Sequence, residues 1–267
     1  VMKEFEFNKD EYLKRINYAA DVDVSITCLK TIHRAQFYTI PFENFDICLG
    51  KGINITPEAI FQKLVNKKRG GYCFELNGLL LMALKSFGFN ARALLARVHT
   101  REKPSGRGHQ ITLITLQDKQ WIADVGFGSD TPRTPLPLEI NQPISQNGQT
   151  LRLIKTKEFG YMLQNQKDND WKDLYSFDLE YVHLGDIEYG NHFTSTHHSS
   201  FFTSSRVAAL PLDNGKITLL DHTLKKTVNG RERDIELAED QSYIDALQTH
   251  FGIELDASYD ALKLLNE

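Results

Sequence analysis

The chain has 267 residues, 41% of them hydrophobic and 25% charged, which suits a folded protein of one large or two to three small domains with ample core. Its net charge is only −4, and Lys and Arg are scattered rather than gathered on one face, which argues against nucleic acid or an anionic membrane as its partner. No stretch approaches the ~18–20 apolar residues of a membrane span, and residues 1–6 carry no signal-peptide core, so a cytoplasmic location is expected. Cys28, Cys48 and Cys73 are odd in number and far apart, which fits neither a disulfide framework nor a CxxC-type metal site.

The first third reads helical. Asn8 and Glu11 form a capping pair ahead of Tyr12, Leu13 and Ile16, and Ser25 caps a second helix carrying Ile26, Leu29, Ile32 and His33. Thr56-Pro57 starts a third, whose apolar face is Ile60, Phe61, Leu64 and Val65. Ile40-Pro41-Phe42-Glu43-Asn44 lies between them, where proline forbids a simple helical continuation. The fourth helix follows Lys68-Arg69-Gly70-Gly71-Tyr72 and is apolar on every face through Leu84, so it is buried. The paired glycines permit a tight entry turn and place Cys73 in the first helical turn. There the free N–H groups and the helix dipole favour a thiolate. Cys28 and Cys48 read as core thiols.

Past Gly88 the period becomes alternating. Residues 91–99, 109–116 and 120–125 read as strands, followed by 151–156, 159–163 and 171–177 after the Asn147-Gly148 turn. So many short strands point to a closed or partly closed barrel. A polar stretch over 191–200 separates this region from a tail with strands at 206–212 and 216–220 around Asn214-Gly215 and helical patterns near 243–251 and 259–265.

A cysteine nucleophile needs a base and a group that orients the base. His109 opens a strand after the Pro104-Ser105-Gly106-Arg107-Gly108 loop and is the best base. Asp124, a carboxylate in an otherwise apolar strand, is costly to bury without a partner and is the best orienter. Pairing Leu116 with Trp121 sets His109 opposite Gly128, four residues past Asp124, too far for a hydrogen bond at ~3.4 Å per residue. A bulge, a barrel curl or another strand order must close that gap. His197-His198 lacks companion ligands at metal spacing, so no metal is expected. His33 reads as a satisfied core histidine, and Gly126-Phe127-Gly128 opens no clear helix, so it is a poor nucleotide motif.

Ile40-Pro41-Phe42-Glu43-Asn44, Arg69-Gly70-Gly71-Tyr72-Cys73-Phe74-Glu75-Leu76-Asn77 and Asp124-Val125-Gly126-Phe127-Gly128, in this order, resemble the arylamine N-acetyltransferases of bacterial type. Ser86-Phe87-Gly88-Phe89 and Ala96-Arg97-Val98 also fit, and the likeness is dense from about residue 12 to 138. It implies an α+β fold of a helical bundle over residues 1–88, a β-barrel over 89–190, an interdomain segment over 191–204 and an α/β lid over 205–267, with a papain-like Cys-His-Asp active site.

The triad falls on Cys73, His109 and Asp124, with acetyl-CoA as co-substrate and arylamines, arylhydroxylamines or hydrazines as acceptors in a ping-pong reaction. The Cys73 backbone N–H is one expected oxyanion donor. Phe42, Val98 and Phe127 match acceptor-pocket positions, and Ser105, Gly106, Gly126, Phe127 and Ser199 match positions expected at CoA. Arg69 and Glu43 are expected to form an ion pair bracing the nucleophile turn. His197-His198 stands where the family often has Ser-Pro, and Ser129 where a further glycine is common. Two rival readings use the same residues: a cysteine hydrolase or amidase with water as acceptor, and a non-enzymatic ligand-binding or thiol-sensing protein. The partners expected are small molecules only, with no nucleic acid and no membrane; the oligomeric state does not follow from the sequence.

Overall fold

A computed structural model describes residues 5–265, so residues 1–4 of the segment read for a leader lie outside the described residues. Helix α1 (Lys9–Arg15) starts where the Asn8 side chain accepts the Glu11 N–H at 3.1 Å, and α2 (Ile26–Thr39) where Ser25 accepts the Cys28 N–H. A short strand β1 (Phe42–Glu43) and a one-turn helix α3 (Phe45–Cys48) come next, then α4 (Pro57–Phe61), capped by Thr56 and continuing into a wider π-helical turn, Gln62–Asn66. Helix α5 (Cys73–Ser86) buries Leu76, Leu79, Leu80 and Leu84 almost completely, each burial contributing roughly 1.5–3 kcal/mol.

Strands β2 (Asn90–Val98), β3 (His109–Leu116), β4 (Lys119–Ala123), β5 (Leu136–Pro137), β6 (Ile144–Gln146), β7 (Gln149–Thr156), β8 (Gly160–Lys167) and β9 (Asp170–Phe177) form one sheet in the order β5-β4-β3-β2-β9-β8-β7-β6. The sheet curls until its edges nearly meet. The Gln146 side chain of β6 accepts the backbone N–H groups of Arg133 and Thr134, just ahead of β5, and donates to the Thr134 carbonyl. The barrel expected from the many short strands is present in this nearly closed form, filled by Leu94, Ile111, Leu113, Leu151, Leu163 and Tyr175.

Helices α6 (Leu184–Thr196) and α7 (Phe201–Ser204) follow, then β10 (Val207–Leu212), β11 (Gly215–Leu220), β12 (Thr223–Val228), β13 (Arg231–Glu236) and α8 (Gln241–Phe251). Four of these strands make a second antiparallel sheet whose edge is supplied from far upstream, in the order β1-β10-β11-β12-β13. Phe45 and Cys48 sink into the core of this C-terminal unit, beside Tyr243, Leu247 and Phe251.

Several expectations need correction. The helical first third is interrupted by β1, because residues 42–43 complete a distant sheet. Residues 191–196 are helical and finish α6, with Asn191, Thr194 and Ser195 on its buried face, which a polar composition conceals. The strands over 223–228 and 231–236 went unread because their alternation is masked by exposed Lys, Arg and Glu; they turn at Asn229-Gly230, both at positive φ. The pattern over 259–265 forms only a single 3₁₀ turn, Tyr259–Ala261. Gly70 and Gly71 are not at positive φ. A Cβ on Gly70 would lie 2.2 Å from the Pro41 carbonyl oxygen, so close approach, not turn geometry, demands the small residue.

Candidate active site

Cys73 is the first residue of α5 and only 4% exposed. The turn before it is held by its own helix: the Glu75 Oε2 accepts the Tyr72 N–H at 3.0 Å, half of a capping box. Glu75 in turn receives Lys63 Nζ at 2.7 Å from the π-helical turn, and Lys63 also contacts Asp46 at 2.9 Å. Arg69 donates to both Glu43 oxygens, at 2.8 and 3.0 Å, and to Asp46 at 3.1 Å. The expected Arg69–Glu43 ion pair is therefore one edge of a five-membered buried network. Burial alone would lower the Lys63 pKa, but the carboxylates of Glu75, Glu43 and Asp46 hold it above the ordinary lysine value.

His109 begins β3 and Asp124 follows the last residue of β4. The hairpin between these strands turns on Gln117 and Asp118, both at positive φ, so Leu116 pairs with Lys119 and Thr112 with Ala123. This register is two residues tighter than pairing Leu116 with Trp121. Extended past Ala123, it sets His109 level with Gly126, two residues from Asp124 instead of four. The remaining gap is closed by the chain leaving the strand. The Asp124 Oδ1 accepts the Gly126 N–H at 2.8 Å, an Asx turn that swings the carboxylate back toward β3.

The His109 Nε2 then meets the Asp124 Oδ2 at 2.7 Å, with both residues buried. Nε2 is thus committed to Asp124, and Nδ1 is the ring nitrogen left for Cys73. The Cys73 Sγ lies 3.7 Å from the carbonyl oxygen of Gly108, the residue next to His109. Burial would lower the His109 pKa, but the Asp124 charge and hydrogen bond, reinforced by the Cys73 sulfur, push it up to about 10. Burial likewise works to raise the Asp124 pKa, and His109, Asn77 and the Gly126 N–H together hold it below the ordinary carboxylate value.

Asn77 is the residue that sequence reasoning left without a role. Its Nδ2 donates to the Asp124 Oδ1 at 2.9 Å and to the Gln110 carbonyl at 2.7 Å, and its Oδ1 accepts the Val125 N–H at 3.0 Å. One side chain ties the helix that begins at Cys73 to β3, which carries His109, and to the segment after β4, which carries Asp124. The available signal was its spacing: an amide four residues after Cys73, on the same face of an apolar helix, is costly to bury unless bonded.

His33 also reaches this centre. Its Nε2 lies 2.9 Å from the Asp124 carbonyl oxygen, which can only accept, so that nitrogen carries the proton. Burial pushes the His33 pKa down to about 4, so the ring is neutral at pH 7. Reading it as a satisfied core histidine captures one nitrogen only, since Nδ1 is buried without a partner.

Phe127 and Tyr175 pack their rings 5.1 Å from His109, which keeps the imidazole in one plane. Phe42 is 7% exposed, and its ring meets Phe202 of α7 at 5.9 Å. Val98 is half-buried at the end of β2, paired with Tyr175. Ser105 and Gly106 lie on the exposed β2–β3 loop, where the Ser105 Oγ accepts the Val98 N–H at 2.8 Å. Ser199 is exposed in the turn after α6, hydrogen-bonded to His197 Nδ1. Gly126 is buried, and a Cβ on it would lie 3.0 Å from the Cys73 Cα. His197 and His198 occupy that same turn, with ring centroids 4.3 Å apart. Among the described residues no group of three or more His, Cys, Asp or Glu is placed to hold a metal ion.

A sequence model of the N-acetyltransferase family matches residues 25–259. A Salmonella typhimurium protein named arylamine N-acetyltransferase / N-hydroxyarylamine O-acetyltransferase is 35% identical over 86% of this chain and 83% of its own length. The solved arylamine N-acetyltransferase from Salmonella typhimurium superposes with a TM-score of 0.88 at 32% identity, covering 93% of this chain and 92% of that one. The arylamine N-acetyltransferase of Mycobacterium marinum, solved in complex with CoA, gives 0.88 at 30% identity over 96% and 97%.

Proposed function

The chain belongs to the arylamine N-acetyltransferase family, and from that premise we propose that it carries an acetyl group from acetyl-CoA on Cys73 to an arylamine, arylhydroxylamine or hydrazine. The observation that carries the proposal is the buried His109 Nε2–Asp124 Oδ2 bond at 2.7 Å, which leaves Nδ1 for a sulfur at the start of α5.

Cys73, as the thiolate partner of the His109 imidazolium, attacks the thioester carbonyl. A sulfur–carbon bond forms to Cys73, the bond to the CoA sulfur breaks, and His109 gives its proton to the departing thiolate. Neutral His109 then takes a proton from the amine as the amine nitrogen attacks the acetyl-Cys73 carbonyl. Collapse of that intermediate restores the thiolate–imidazolium pair. Asp124 fixes the imidazole so that Nδ1 faces the sulfur and stabilises its charge in both half-reactions. The Cys73 N–H, free at the first turn of α5, is the proposed oxyanion donor.

Phe42, Val98 and Phe127 form the acceptor walls in this reading, and Phe202 joins them through its ring contact with Phe42. Ser105, Gly106, Phe127 and Ser199 are the proposed CoA contacts, while Gly126 contributes by letting its backbone approach Cys73. The helical residues through 88 act as nucleophile platform, the barrel over 89–190 as carrier of base and orienter, and the C-terminal sheet over 205–267 as lid. Three free buried cysteines suit the reducing cytoplasm. Initial rates with acetyl-CoA and 4-aminosalicylate varied together test the scheme. Parallel double-reciprocal lines are expected, and intersecting lines would reject the acetyl-enzyme.

A further inference from the structure

Between α2, the β10–β11 hairpin and the turn joining β4 to β5 lies a narrow cleft whose cations the transfer chemistry does not use. Phe37, Phe42, Val125 and Leu210 line it, Arg133 and Lys216 add two cations, and its free volume of about 10 Å³ is that of a single water. The Arg133 backbone N–H is pinned by Gln146 at 2.8 Å, and its guanidinium lies over the Phe37 and Tyr38 rings at 5.3 and 5.9 Å. Its Nε and Nη1 are buried and have no hydrogen-bond partner.

Lys216, on β11, faces the same cleft. Burial lowers its pKa; Asp130 and Glu232 oppose that, while Lys167 and Arg133 add to it. Asp130 is already engaged by Lys167 at 3.0 Å. Among the described residues no carboxylate comes within ion-pair distance of Arg133 or Lys216, and neither side chain donates a hydrogen bond. Two half-buried cations that repel one another, with no carboxylate in direct contact with either, are unfavourable until an anion arrives. A guanidinium with two unbonded donors and an ammonium lining the same cleft are the donor types that recognise an oxyanion.

We infer that Arg133 and Lys216 form an oxyanion subsite in which one oxygen of a ligand's carboxylate or phosphoryl group takes up that water-sized space. The cleft shares Phe42 with the acceptor wall, and Val125 and Gly128 flank Phe127, so a ligand anchored here lies beside the transfer site. The choice of ligand rests on the proposed acetyl transfer, whereas the subsite rests on the cleft alone. Two sources supply the chemistry: an ionised substituent on the acceptor ring, or a phosphate of CoA.

Inorganic phosphate is the first probe, followed by thermal unfolding of the wild type, Lys216→Met and Arg133→Met. Phosphate is expected to raise the wild-type Tm and to lose most of that effect in both variants. An equal rise in the variants, or no rise in the wild type, would overturn the subsite. Steady-state kinetics then identifies the source, comparing 4-aminobenzoate with aniline as acceptors and acetyl-CoA with 4-nitrophenyl acetate as donors. Lys216→Met should raise KM about tenfold for the anionic member of one pair, the loss of one charge-assisted hydrogen bond, and leave its uncharged counterpart within about twofold. The pair that moves names the source; if neither moves, no substrate uses the subsite and the inference fails. A wild type that transfers no acetyl group would refute the proposed function while leaving the phosphate result to stand.

Discussion

Two buried polar clusters meet at Cys73, and they are built differently. On one side Glu43, Asp46, Lys63, Arg69 and Glu75 alternate in sign, so that each carboxylate touches a cation. On the other, His109 and Asp124 share one short bond and are otherwise surrounded by neutral donors and acceptors from Asn77, Gly126 and His33. The first cluster is saturated with charge and has nothing left to exchange, so it braces the turn ahead of the nucleophile. The second leaves Nδ1 of His109 with no polar neighbour but the Cys73 sulfur, and in the proposed reaction that is where the proton moves. Burial alone does not mark a catalytic group; an unspent valence does.

The comparison breaks most sharply on the second cluster. Cys73→Ala should abolish transfer, and Asp124→Asn should lower it by about 10⁴-fold through the wrong imidazole tautomer, with both proteins folded by circular dichroism. Asn77→Leu removes the tie between α5 and the two strands. A kcat loss of about 10²-fold is expected, with KM for acetyl-CoA nearly constant, since a displacement of about 1 Å costs that much.

Titration separates the clusters next. The His109 pKa is raised on folding, so its contribution to stability is complete below the unfolded histidine value of about 6.5 and fades as pH rises through about 10. The Asp124 pKa is lowered, so its contribution is present above the unfolded carboxylate value and fades as pH falls through the folded one. Stability measured by denaturant between pH 7 and 11 should therefore decline in the wild type and decline less in Asp124→Asn.

In the bracing cluster the order of effects reverses. Arg69→Met leaves Glu43 buried without its fork and should cost about 3–5 kcal/mol of stability, read from denaturant midpoints, while kcat per folded molecule falls less than tenfold. The smallest effect is expected at His33. His33→Leu orphans the Asp124 carbonyl and should cost about 1–3 kcal/mol, and His33→Gln, whose amide reaches the same oxygen, should restore most of the loss.

Cys73, His109 and Asp124 were legible as candidates because each broke a local rule: a cysteine at the mouth of a buried helix, a histidine opening a strand after a flexible loop, a carboxylate in an apolar run. Their meeting was not legible, because it depends on a two-residue turn at Gln117-Asp118 that carries no glycine to announce it. Asn77 hid behind its motif, since nothing in a sequence says that one amide bonds to two strands at once. The second sheet was half missed for another reason. β1 is two residues long, and the strand it pairs with, β10, lies more than 150 positions away. Arg133 and Lys216, likewise distant in sequence, become a pair only through folding.

The most direct test of the account is the intact mass of the protein after mixing with acetyl-CoA and no amine, with peptide mapping of the product. One acetyl group on Cys73, discharged when 4-aminosalicylate is added, is the predicted result. Reduced, alkylatable Cys73 that gains no acetyl group, or acetyl-Cys73 that discharges to water but not to the amine, would contradict it.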